Sequence, residues 1–223
     1  MSASKPDTDG IAVIGLGRFG SRLAESLSAL GHEVLAIDRD SRRVQKWSAL
    51  LDQVAQADST DGQALRQLGV ADLNRVVVAI GASLESSVLT VLALVELGVP
   101  QIWARATSTQ HSKILSAVGA QHVIFPEKET GERMAHLIAS RMLDFMEFGD
   151  AFAIAKMHVP APMAGHRVSE QQLLDRYGIR IIGVKRPAEQ RYRYVSDSLL
   201  LGPDDIVIVE GTIDQVQAFA SLT

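Results

Sequence analysis

One stretch constrains the fold of this chain more than any other: Ile11-Ala12-Val13-Ile14 runs straight into Gly15-Leu16-Gly17-Arg18-Phe19-Gly20. An apolar run ending in G-x-G-x-x-G reads as a strand turning tightly into a helix. Gly15 makes the turn, Gly17 lets the backbone approach a pyrophosphate, and Gly20 lets helix and strand pack closely. An anion held there meets unsatisfied N–H groups at the positive end of the helix dipole.

The segments that follow keep the same rhythm. Short apolar runs at Val34–Ile37, Gln53–Ala57, Val76–Ile80, Ile102–Ala104 and Val123–Phe125 alternate with helix-like stretches. This predicts an α/β fold, a doubly wound parallel sheet of the Rossmann kind with helices on both faces. Thr60-Asp61-Gly62-Gln63 and Ser169-Glu170-Gln171-Gln172 fit capping boxes, and Ser41 and Ser83 are candidate N-caps. Gly31, Gly69, Gly98 and Gly119 stand where left-handed C-caps favour glycine.

From Lys128 to Phe148 the pattern predicts one long helix, with Met134, Leu137, Ile138, Met142, Phe145 and Met146 as its apolar stripe. The stripe either packs on its own sheet or meets another subunit, and the pattern leaves both open. Beyond Gly149, strands are expected at Phe152–Val159, Ile179–Lys185 and Ile206–Glu210, with helices at Ser169–Tyr177 and Ile213–Ala220. The expected organisation is a disordered tail at 1–10, a Rossmann nucleotide-binding domain at 11–127 and a long helix at 128–149. A small C-terminal α+β domain follows at 150–223.

Composition narrows the function classes. There is no cysteine, which excludes disulfides, thiolate catalysis and zinc–thiolate sites. A net charge of −4 argues against nucleic acid as a partner, since that binding needs lysine and arginine to displace counterions. The polar start and the lack of a long apolar run predict a soluble, cytoplasmic chain, so any membrane role comes through a partner.

Asp38 ends the second apolar strand at a spacing that suits an acid accepting from ribose hydroxyls, and a carboxylate there disfavours a 2′-phosphate. Arg18, inside the glycine loop, can reach terminal phosphates. Arg105 and Glu127 follow the fifth and sixth strands, at the sheet edge where such folds bind ligands. They either serve phosphate and a phosphate-bound cation, or pair with each other at the surface.

Taken in order, IAVIGLGRFG, GHEVLAID, VVVAIGA, IWARA and GAQHVIFPEKETG resemble the RCK family (regulators of potassium conductance), in particular the cytoplasmic subunits of Ktr-type and Trk-type potassium uptake systems. The C-terminal part is similar to that family's small regulatory domain in length and pattern. The resemblance implies a gating ring, usually a homo-octamer, docked under an integral membrane potassium-transport subunit. It also implies ATP and ADP as ligands that favour different ring shapes.

Carried onto this chain, the resemblance implies that Gly15, Gly17 and Gly20 hold the phosphates and that Arg18 reaches the terminal one, with Phe19 beside it. Asp38 takes the ribose, flanked by Arg39. Asp58 and Ser59 lie by the adenine, Ile80, Gly81 and Ala82 line the cleft, and Arg105 approaches the phosphates. Glu127 helps hold Mg2+ or another cation beside the γ-phosphate, and residues 128–148 form a crossover helix between neighbouring subunits. Arg39 stands where an apolar residue is expected and Asp58 where a neutral Asn is common, so ATP/ADP and NAD/NADH both remain open as ligands. Some members bind cyclic di-AMP between paired C-terminal domains, for which Gly165-His166-Arg167-Val168-Ser169 carries no signature.

A nicotinamide-dependent oxidoreductase shares the glycine fingerprint, but needs an acid–base residue and an enclosing substrate domain. The six histidines are scattered, and the second domain is small. A redox-sensing repressor would need a basic recognition helix, which no segment offers. The expectation is therefore a regulatory protein and not an enzyme.

Overall fold

The computed structural model describes residues 10–149 and 151–222, so the tail expected at the N-terminus lies, but for Gly10, outside the described residues. The chain divides into two compact units, Met1–Glu127 and Lys128–Thr223.

In the first unit the elements run β1 (Ile11–Ile14), α1 (Arg18–Ala29), β2 (Val34–Asp38), α2 (Ser41–Trp47), β3 (Gln53–Gln56), α3 (Gly62–Gln67), β4 (Arg75–Val78), α4 (Leu84–Glu96), β5 (Gln101–Arg105), α5 (Thr109–Val118) and β6 (His122–Ile124). The strands form one sheet in the order β3-β2-β1-β4-β5-β6, every pair parallel. Successive strand residues point to opposite faces. Ala12 and Ile14 accordingly join the core on one face with Leu65, Leu94 and Leu115, while Ile11 and Val13 join Trp47 and Leu51 on the other. Each fully buried leucine contributes about 1.5–3 kcal/mol. This two-sided burial is why these strands are nearly continuous apolar runs.

Helix ends follow short-range hydrogen bonding, with two corrections. Ser83 caps α4 as expected, and Gly31, Gly69, Gly98 and Gly119 all have positive φ. The cap of α2 is Asp40 rather than Ser41, and the cap of α3 is Asp61, whose carboxylate accepts from Gln63 and Ala64. Thr60 is not the cap because its hydroxyl donates to Asp58.

The second unit contains α6 (Pro126–Ala139, its first turn in the first unit), β7 (Met142–Phe148), β8 (Phe152–His158), α7 (Leu173–Tyr177), β9 (Arg180–Lys185), β10 (Arg193–Tyr194), β11 (Ile206–Thr212) and α8 (Ile213–Ala220). Its antiparallel sheet has the order β10-β9-β11-β8-β7. One sheet face carries a core of Met142, Phe145, Met157, Ile181, Val207 and Val209 with Val216 and Phe219 of α8. The α8 helix opens on a complete capping box between Thr212 and Gln215.

The single helix expected from Lys128 to Phe148 is corrected here: α6 ends at Ala139, and residues 142–148 form strand β7. The Ser140 hydroxyl donates to the His136 carbonyl at 2.6 Å and accepts from the Met142 N–H at 3.2 Å, which diverts the backbone out of the helix. Pairing with β8, Phe145 opposite Ala155, then outweighs local helical periodicity. Leu137, Met142 and Phe145 face their own core, whereas Met134, Ile138 and Met146 are exposed. The helix expected from Ser169 is likewise shorter. Val168–Gln171 is a 3-10 turn, and Gln172 at φ 48 breaks it from α7.

Candidate ligand-binding site

The strand order places β1 beside β4, and the chain leaves this pair in opposite directions across the sheet. The loops at their carboxyl ends therefore diverge and open a crevice, the usual ligand position in such sheets. A cleft of about 470 Å3 occupies it, lined among others by Gly15, Gly17, Arg18, Asp38, Arg39, Asp58, Ser59, Ile80, Gly81, Ala82 and Arg105. Phe19, Gly20 and Glu127 do not line it.

The three loop glycines do different things. Gly15 has φ 100 and donates its N–H to the Ile37 carbonyl at 2.7 Å, which ties the loop to β2. A side chain at Gly20 would overlap the Gly15 carbonyl and approach Ala79 to 2.7 Å, so glycine there is demanded by packing. A Cβ at Gly17 would meet nothing within 4 Å, because it would point into open space. Gly17 is also the N-cap of α1 and supplies no capping side chain, which leaves the helix amides to an external anion.

At one end of the cleft lies Asp38, only 6% exposed. Its Oδ2 accepts the Leu16 N–H at 2.6 Å and its Oδ1 the Asp40 N–H at 2.9 Å. Arg43 Nη1 donates to Oδ2 at 3.2 Å. Asp58 accepts from both the N–H and the hydroxyl of Thr60, and these bonds, the backbone one foremost, hold its carboxyl below the usual aspartate value, with Arg39 adding to the effect. The Ser59 hydroxyl pairs with that of Thr90 on α4 at 2.8 Å, which anchors this side of the cleft.

At the other end Arg105 lies against Gly81 and pairs with Glu127 through one guanidinium edge, Nε to Oε2 at 3.3 Å and Nη2 to Oε1. That bond is the main cause of a Glu127 carboxyl held below its usual value, with Arg18 contributing from nearby. The two residues thus pair with each other, Arg105 mostly buried and Glu127 exposed, while Arg105 also lines the cleft. Behind Arg105, His111 is buried, its pKa pushed below the ordinary 6.5 by burial first and by Arg105 second, and its Nδ1 accepts from the Thr107 N–H.

Sequence reasoning missed Arg43, Asp40, Ser83 and Ser86, which also line the cleft. The available signal was position: Asp40 caps α2, and Arg43 sits three residues on, where a first-turn side chain reaches back over the cap. Chemically, the cleft offers acceptors suited to hydroxyls at the Asp38 end and an uncapped helix, Arg18 and Arg105 for anions at the other. Among the described residues, no group of three or more His, Cys, Asp or Glu could hold a metal ion.

Residues 11–126 match the TrkA-N domain and residues 152–223 the TrkA-C domain. The chain belongs to the RCK family of TrkA-N/TrkA-C proteins. It is 34% identical over 209 residues to Ktr system potassium uptake protein C of Bacillus subtilis, covering 93% of this chain and 94% of the relative. Ktr system potassium uptake protein A of the same organism is 31% identical over 199 residues, covering 89% of this chain and 90% of the relative. Among solved RCK structures, the GsuK channel superposes with a TM-score of 0.67 at 21% identity, which speaks to fold alone; 98% of this chain covers 40% of that one. A GsuK structure bound to ADP matches 59% of this chain and 34% of its own at 26% identity and TM-score 0.50. No helix among the described residues is long and apolar enough to cross a membrane.

Proposed function

We propose that this RCK chain is the cytoplasmic regulatory subunit of a Ktr-type potassium uptake system, sensing adenine nucleotide in the first unit and setting the state of a membrane pore. The observation that carries the reading is a single cleft with a glycine-loop helix N-terminus between Asp38 and the Arg18–Arg105–Glu127 cluster. The two Bacillus subtilis Ktr proteins, similar over nearly their whole lengths, support the potassium-uptake role.

ATP and ADP share the adenosine and differ at the phosphate end, where the arginines stand. A γ-phosphate engages Arg18 and Arg105 and, through a shared cation, Glu127; a diphosphate leaves those contacts unmade. Such a difference in affinity between two states is what moves a conformational equilibrium. A divalent cation would meet Glu127 as a ligand shared with the phosphates, since among the described residues no group of three or more His, Cys, Asp or Glu is placed to hold a metal ion. The ring, an octamer by family likeness, is where that difference becomes a change of shape. NAD or NADH is the second reading, because a glycine loop followed by a ribose acid also suits a dinucleotide.

Isothermal titration of the full chain with ATP, ADP, NAD and NADH, with and without magnesium, tests the proposal. ATP and ADP binding, with ATP selectively weakened in Arg18→Ala and Glu127→Gln, supports it. A preference for NAD or NADH indifferent to both substitutions replaces the ligand, and hydrolysis of ATP at ordinary enzymatic rates overturns the regulatory reading.

A further inference from the structure

The hydrogen-bond inventory around Asp38 leaves the ribose end one partner short. A carboxylate offers about four lone-pair positions. Two on Oδ2 are filled by the Leu16 N–H and by Arg43, and one on Oδ1 by the Asp40 N–H. A single acceptor position remains. A ribose presents two neighbouring hydroxyls, so Asp38 serves one and the other needs a different partner.

Arg43 is that partner by position and by chemistry. It lines the same cleft, its side chain is 49% exposed, and it reaches Asp38 from the first turn of α2. A guanidinium carries five N–H donors, and one is spent on Asp38. Its Nε stands 3.7 Å from the Asp40 carboxylate, too far for a hydrogen bond. We infer that Arg43 is a specificity-determining residue, donating to one ribose hydroxyl while Asp38 accepts from the other, so that the cleft reads an intact ribose diol. This rests on the adenine-nucleotide reading above.

The nearby acids say why the feature read is a hydroxyl and not a 2′-phosphate. Asp38 and Asp40 both stand within 4 Å of the same guanidinium. A dianionic phosphate at that point would face two carboxylates for one arginine, whereas a neutral hydroxyl faces no such repulsion.

The test is a thermodynamic cycle by isothermal titration of the full chain with ADP, 2′-deoxy-ADP and 3′-deoxy-ADP, using wild type, Arg43→Ala and Arg43→Lys. In wild type, removal of either hydroxyl weakens binding about tenfold or more, the scale of a hydrogen bond to a charged group. In Arg43→Ala, ADP itself binds about tenfold more weakly and one of the two deoxy penalties disappears, while the penalty owed to Asp38 persists. Arg43→Lys, a donor without the fork, restores part of that loss, and far-UV circular dichroism verifies that both variants are folded. If Arg43→Ala weakens all three ligands equally, the arginine only holds Asp38 in place and the inference is overturned. Tighter binding of adenosine 2′,5′-bisphosphate than of AMP overturns it as well, since Arg43 would then read a phosphate. Wild-type protein that binds no adenine nucleotide removes the underlying reading, and the inference with it.

Discussion

Arg105 rests on the bare backbone of Gly81: a Cβ added there would stand 2.7 Å from the guanidinium carbon. The two residues leave adjacent parallel strands, β4 and β5, at the carboxyl edge of the sheet. The lack of a side chain at one lets the other lie against it and turn its Nε–Nη2 edge to Glu127.

Gly81→Ala should therefore dislodge Arg105 rather than unfold the domain, because the displaced atoms are the end of a flexible side chain. The expected outcome is a loss of stability within about 1 kcal/mol by urea unfolding. Affinity for ATP should fall about tenfold, as expected on losing a hydrogen bond to a charged group. ADP should be affected less.

Two loop glycines should separate packing from ligand approach. Gly20→Ala places a methyl group on the Gly15 carbonyl and on Ala79, and should destabilise the protein by about 3 kcal/mol, the upper end for overpacking. Gly17→Ala adds a methyl group to open space at φ −69, an ordinary backbone angle, so the melting temperature should barely move. Nucleotide binding, measured by titration, should nevertheless be lost, since that methyl group stands at the helix N-terminus to which the proposed function assigns the phosphates.

His111 predicts an acid-sensitive first unit. Its folded pKa lies below the ordinary 6.5, so the unfolded chain binds more protons between the two values. Its contribution to stability is fully present above pH 6.5 and is lost as the pH falls through the folded value. Urea midpoints should decline from pH 7.5 to 5.5 in wild type and decline less in His111→Asn. An equal slope in both would exclude His111 as the cause.

Strand β7 makes a distinguishable prediction from the helix expected in its place. Phe145 is 2% exposed and Met146 60%. Phe145→Ala should cost about 3–5 kcal/mol, as for other buried phenylalanines, whereas Met146→Ala should fall within about 0.5 kcal/mol of wild type. A helix with both residues on its apolar stripe would show a loss at each.

The central parallel strands β1, β2 and β4 were legible because they are buried on two faces, which forces apolar runs that need no knowledge of neighbours. The turn at Gly15, the close packing at Gly20 and the place of Asp38 beside the glycine loop were legible for a similar reason: they are short-range requirements along one βαβ unit. Arg43 was not, because its role comes from a guanidinium reaching back over Asp38 at 3.2 Å, and any exposed helical arginine looks the same in sequence. Asp40 rather than Ser41 caps α2, its carboxylate accepting from the Arg42 N–H.

By itself, then, the sequence determined which segments are strands of a doubly wound sheet and where an anion would meet its first helix, since local sterics and two-sided burial act through neighbouring residues. Tertiary structure alone decided that residues 142–148 are a strand, because Met142, Phe145 and Met146 suit either a helix face or a strand and only pairing with β8 discriminates. It also decided that Arg105 and Glu127, twenty-two residues apart, form one ion pair beside the cleft. Contacts at that separation depend on how β5 and the first turn of α6 are brought together, which no local pattern encodes.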